Sequence, residues 1–158
     1  MKYEFTSETI EVDGRILHRI RRIYDGELGG FLEFEKNLSQ EGECWVSDNA
    51  RVYGNARVYG NSGVAGDAQI FENAMVFGNA MVYGNSMVFG NAMVYGNVRV
   101  YGNVMVYGNA RVFGGAMVYE NVQIFHNALV FGDAWVAGNT LVSGNDQVYQ
   151  KDHSLSMS

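Results

Sequence analysis

The chain of 158 residues has no proline and a single cysteine, and its basic residues are few. Twenty glycines without proline exclude collagen and proline-rich disordered chains. Cys44 alone cannot build a disulfide framework within one chain. No apolar run approaches the ~20 residues of a membrane helix, and no signal-peptide pattern precedes the first polar residues. A soluble cytoplasmic protein without a membrane partner is therefore expected. Lys and Arg number 11 against 17 acidic residues, for a net charge of −6. The imbalance sits mainly in residues 1–43, with ten acids against six bases, while 44–151 carry six against five. There is no basic stripe, which argues against binding nucleic acid through its phosphates.

What the chain does have is a period of six. From Cys44 to Lys151 it divides into 18 hexapeptides with no insertion and no deletion. Place one is small, with Ala in ten units; place three is Val or Ile in all 18; place four is mostly Tyr or Phe. Place five is Gly in 13 units and place six is Asn in 14. So strict a repeat decides the fold before any local propensity does. Places one to three read in, out, in, which is a short strand. Gly-Asn supplies the two residues that most readily take positive φ, so the chain is expected to turn there. One unit cannot bury its own valine. Stacked copies can, with coils ~4.8 Å apart joined by backbone hydrogen bonds.

The array resembles the hexapeptide-repeat left-handed β-helix, in which an aliphatic residue is followed four places later by a small one, as in Val52 to Ala56 and Val94 to Val98. The resemblance implies an all-β, left-handed, three-sided parallel β-helix with three hexapeptides per 18-residue coil, hence about six regular coils. The aromatic that directly follows the aliphatic departs from the family, which more often has a small or acidic residue there. The segments Leu28-Gly29-Gly30, Asn37-Leu38-Ser39, Gly42 and Trp45-Val46, followed by xVYGNA repeats, are also similar to the N-terminal signature of little-characterised β-helix proteins of enteric bacteria and phages. That implies an origin and a fold, with no established chemistry.

Asp13-Gly14 lies between alternating apolar segments and predicts a β-hairpin. The expected organisation is a single folded unit: an N-terminal cap over residues 1–43 (hairpin plus a degenerate first coil), the hexapeptide β-helix over 44–151, and a polar tail over 152–158. Tracing the six-residue frame backwards puts Leu32 and Leu38 at place one, Phe34 at place three and Asn37 at place six. Asp146 at an inward place and Gln150-Lys151 in place of Gly-Asn mark the stop of the array.

Few residues offer chemistry. Hexapeptide β-helix acyltransferases, which the first resemblance brings in, use a His as general base, often near an extruded loop. Here only His126 lies in the array, and no loop is extruded, so His126 is a weak catalytic candidate and a solvated turn residue first. Zinc enzymes of similar fold need three His on neighbouring coils, whereas His18, His126 and His153 are spread over cap, array and tail. No metal and no cofactor is expected. An ice-binding face would need outward Thr or Ser ladders, and place two holds none.

That leaves the surface. Residues 18 apart should share a face. The first face then reads Trp45, Gly63, Met81, Arg99, Met117, Trp135; the second reads Arg51, Gln69, Met87, Met105, Gln123, Leu141; the third reads Arg57, Met75, Met93, Arg111, Leu129, Gln147. Aromatic ladders at place four run beside them and stabilise the corners by stacking. Met75, Met81, Met87, Met93, Met105 and Met117 are the candidate interface residues, because Met-rich apolar surfaces adapt to partners. Arg99, with Tyr83, Tyr101 and Tyr119 beside it, is the candidate ligand-binding group. The expected function is a non-enzymatic binding or structural protein that is homo-oligomeric (dimer or trimer) through a Met/aromatic face. A narrower expectation is a phage- or prophage-encoded protein that sequesters or blocks a host component. The alternatives are a hexapeptide-type acyltransferase and capture of a small, nucleotide-like ligand between subunits.

Overall fold

A computed structural model of the chain describes residues 1–150. Each hexapeptide from Cys44 onward contributes places two and three as one short strand, from Trp45–Val46 to Gln147–Val148. Strands 18 residues apart pair in parallel, so Met81 and Val82 align with Arg99 and Val100. Between coils the backbone bonds keep one spacing: Arg51 N–H donates to Ala68 O at 2.9 Å, Tyr53 to Ile70 at 3.0 Å and Asn55 to Glu72 at 2.9 Å. The result is an all-β, left-handed, three-sheet parallel solenoid of about seven 18-residue coils with an N-terminal hairpin cap. The first and third faces are six-stranded sheets, and the second is nine-stranded because the cap joins it.

The core follows from the alternation. The Val and Ile of place three and the Ala of place one form one continuous buried cluster from the cap to Val148. Val98 and Val104, where most units have Ala, are fully buried. Ser62 and Thr140 bury their hydroxyls by donating to carbonyls three residues back, Tyr59 O and Ala137 O, both at 2.7 Å. Ser86 has the same place but its Oγ has no hydrogen-bond partner among the described residues.

The turn divides the labour of Gly and Asn differently from the sequence expectation. Every place-five residue from Asp48 to Gly144 has positive φ, including Asp48, Glu72, Glu120 and His126, while no place-six Asn does. Left-handed backbone is therefore needed once per corner, and the Asn has another role. Its side chain donates to the Asn one coil further on, as in Asn85–Asn103–Asn121–Asn139 and Asn55–Asn73–Asn91–Asn109–Asn127. At Gly84 (φ +72°) a Cβ would stand 2.8 Å from Gly102 N and 2.9 Å from Gly102 O, so crowding between coils adds to the dihedral demand.

The cap is built from β1 (Tyr3–Val12) and β2 (Arg15–Arg22), joined at Asp13-Gly14, both with positive φ. β2 pairs antiparallel with β3 (Leu28–Leu32), and β3 pairs in parallel with the Arg51–Val52 strand. The hairpin thus extends the second sheet as well as closing the core, with Tyr3 and Ile20 fully buried in the main cluster. Gly29 and Gly30 are needed for close approach: a Cβ on Gly30 would lie 2.4 Å from Ala50 O, and one on Gly29 2.6 Å from Val46 O.

The first coil corrects the backward-traced frame. Leu32 aligns with Val52 and Leu38 with Val58, twenty residues on, whereas Trp45 aligns with Gly63, eighteen on. Leu32 and Leu38 therefore occupy place three, and the segment between Leu38 and Trp45 holds two extra residues. Phe34, expected inward, is 45% exposed. Asn37, expected at a corner, is fully buried in a short 3-10 turn, Glu35–Asn37. Glycines and a polar turn interrupt the period of six in this stretch.

Candidate functional site

The pairing registers reproduce the three outward rows. Met81 lies between Gly63 and Arg99, Met87 beside Met105, and Met93 beside Met75. The six candidate interface methionines thus fall two to a face, and no face collects them all. Five are half-buried, and Met81 is 40% exposed.

The aromatic ladders distinguish the faces. On the second face Tyr53, Phe71, Phe89, Tyr107 and Phe125 stack coil on coil with centroids 4.8–5.1 Å apart. On the third, Tyr59 to Tyr149 form six stacked rings. The first face has three, Tyr83, Tyr101 and Tyr119, at 5.1 and 5.3 Å. Burial pushes the Tyr101 phenol above its ordinary value, and the Tyr83 and Tyr119 hydroxyls beside it add to this. Tyr101 therefore offers a neutral ring. Above it stand Ser47 and Ala65, and below it Ala137.

Where the rings stop, the surface falls in. A depression of about 520 Å³ is lined by Asp48, Ala65, Gly66, Met81, Tyr83, Gly84 and Arg99. A second, of about 280 Å³, lies on the other side of Met81, between Trp45, Gly63 and Ala65. The Met81 thioether drapes over Gly63, its Sδ 3.1 Å from where a Cβ would stand. Met81 is therefore a flexible wall between two hollows in an apolar face. Asp48 is committed to the turn, its Oδ2 accepting from Gly66 N–H at 3.0 Å.

Of the sequence-chosen ligand group, Arg99 and Tyr83 line this depression; Tyr101 and Tyr119 continue the ladder away from it. Sequence reasoning missed Ala65, Gly66 and Asp48. The available signal was negative: GVAGDA lacks the aromatic of place four. Met75 lines a hollow of about 350 Å³ on the third face with Lys36, Ser39, Arg57 and Tyr59.

His126 is a corner residue. It is exposed, has φ 58°, packs edge-on against Phe125 at 4.7 Å, and its Nδ1 accepts from Gly144 N–H at 3.3 Å. His18 stacks on Phe5 in the cap at 4.7 Å, and His153 lies outside the described residues. Among the described residues no three His, Cys, Asp or Glu side chains gather as a metal site, and no helix is long and apolar enough to cross a membrane.

The stacked 18-residue coils, with one inward aliphatic and one left-handed turn per six residues, are the features that a repeat family would share. The array is similar to the YdcK Beta solenoid repeat. Five windows match, residues 46–60, 50–66, 68–84, 88–102 and 106–120, each spanning most of one coil. The YdcK-type windows contain the three-ring ladder and both hollows' central residues, and leave the hairpin cap unmatched. No curated protein matches the chain.

Proposed function

We propose that the chain is a non-enzymatic structural or binding solenoid that associates with itself through its first face, in the cytoplasm. The observation that carries this reading is the interrupted ladder. Two faces carry ring stacks that begin in the first coil, while on the first the stack begins only at Tyr83 and two hollows flank an exposed methionine. An apolar face with unfilled relief is what an interface offers before its partner arrives. Methionine suits it because an unbranched thioether repacks at low cost.

Sedimentation at micromolar concentration tests this, with a dimer expected. Met81→Asp with Met117→Asp should give folded monomers, whereas Met93→Asp on the third face should leave the assembly intact. A parent chain that sediments as a monomer would sink the reading. The N-terminal Leu28-Gly29-Gly30 signature supports a narrower version, in which a phage- or prophage-borne scaffold of this kind blocks a host component. Co-purification from the native host is its test.

A further inference from the structure

The two outward columns of the first face, taken coil by coil, have an order. At place two the coils run Trp45, Gly63, Met81, Arg99, Met117, Trp135. At place four they run Ser47, Ala65, Tyr83, Tyr101, Tyr119, Ala137. Large and small residues are not scattered along these columns. The second coil is small at both places, and the third, fourth and fifth are large at both.

We infer that the first face is a self-complementary, isologous dimer surface on which a second copy of this chain docks antiparallel, its fifth coil seated on the second coil of the first. The inference rests on the self-association proposed above and adds its geometry. A two-fold axis lying in the face along the strand direction, between the third and fourth coils, turns one copy upside down without exchanging the columns. Each coil then meets the coil that completes a sum of seven. Met117 of the copy comes against Gly63, and Tyr119 of the copy enters the hollow at Ala65; by symmetry both contacts occur twice. Tyr83 meets Tyr101 of the copy, and Arg99 lies on Met81 and the Tyr83 ring, where a guanidinium is well received.

Other registers of the same face are worse for stated reasons. Moving the axis onto the fourth coil sets Arg99 on Arg99 and leaves Ala65 facing Ala137, small on small. A parallel pairing, with the axis along the solenoid, sets the second coil on itself, so the hollows face each other and stay empty. Moving the axis onto the third coil leaves the sixth coil outside the contact, whereas the register between the third and fourth coils engages all six, seats the large fifth coil on the small second and keeps the Arg99 side chains off each other. Six coils at ~4.8 Å by about five residues of width bury roughly 1,000 Å² in total, close to the lower bound for a specific contact. Losing one knob should therefore separate the copies.

Two experiments test this. In a Cys44→Ala background, which matches the commonest residue of place one, the double variant Gly63→Cys/Met117→Cys should oxidise to a covalent dimer at least ten-fold more than either single variant. Within one chain these positions are three coils, ~14 Å, apart, too far for a disulfide. Gly63 has ordinary φ, and a Cβ there meets chiefly the flexible end of Met81, so the substitution is compatible with the fold. The second experiment is Ala65→Tyr, which completes the ladder and fills the hollow. It should raise the melting temperature and weaken dimerisation at least ten-fold. A parent that stays monomeric overturns both this inference and the proposed function. A dimer that crosslinks equally through Gly63→Cys alone, that fails to crosslink in the double variant, or that survives Ala65→Tyr unchanged overturns only the register.

Discussion

The cap and the array solve the same problem of stability by opposite means. Every ion pair among the described residues lies between residues 4 and 33: Arg15–Glu33, Arg19–Glu8, Arg21–Glu4, Arg22–Asp25 and Arg22–Glu27. The cap also buries single-copy polar contacts. Tyr3 Oη donates to the Glu35 and Leu38 carbonyls, and Asn37 Nδ2 donates to Gly54 O at 3.1 Å and Ala56 O at 2.9 Å while its Oδ1 accepts from Phe34 N–H at 2.7 Å. In the array the backbone bonds between coils, the ring stacks and the Asn rungs recur every 18 residues, so no single side chain is indispensable to them. A backbone error, however, is passed to the next coil. Repetition protects against the loss of side chains and not against distortion. Unique contacts do the reverse, and they give the stack a defined first coil, which a uniform repeat could not.

Five substitutions would break or sharpen that contrast. The largest effect is expected at Gly84→Val, where left-handed φ and the 2.8 Å approach to Gly102 act together. Denaturant unfolding should show a loss of about 3 kcal/mol or more, and His126→Gly, at the same place of another corner, a gain of about 1 kcal/mol. Next comes Asn37→Ala, which strands two buried carbonyls and should cost about 2–3 kcal/mol. Asn103→Ala, an exposed rung of a repeated ladder, should change stability by less than about 0.5 kcal/mol in the same measurement. An equal cost for the two Asn variants would refute the contrast. Ser86→Ala removes a buried hydroxyl without a partner and restores the common residue, so a rise of about 1 kcal/mol is expected.

The smallest effect is electrostatic. The Arg22 guanidinium hydrogen-bonded to Asp25 holds that carboxyl below its ordinary value, with the Glu27 N–H adding to this. Since the folded value is the lower one, the contribution is present above the ordinary carboxylate range and is lost as pH falls through the lowered value. Acid titration of stability should show a shallow limb there that Asp25→Asn abolishes.

Much of this was legible beforehand. The inward valines and the hairpin at Asp13-Gly14 follow from period and turn chemistry, whereas the 18-residue stacking of Met81 on Arg99 was implied only by the resemblance, because a period of six by itself aligns equally well at 12, 18 or 24 residues. The first coil was not legible. Its two extra residues sit among Gln40–Glu43, and no periodic signal survives there to reveal them. The candidate site was half legible. Outward methionines can be counted, but hollows come from residues that are absent, and Ala65 stands out only when set beside Tyr83 and Tyr101 one and two coils below.

The chain's own letters determined that it forms coils and which residues face inward, since these are consequences of spacing along one strand path. The tertiary structure decided the rest. Place five alone carries the left-handed turn, in Gly and in Asp48, Glu72, Glu120 and His126 alike. Asn builds ladders because the corner holds its amide one coil from the next. The first face differs from the other two because a missing ring is a property of the column and not of the hexapeptide.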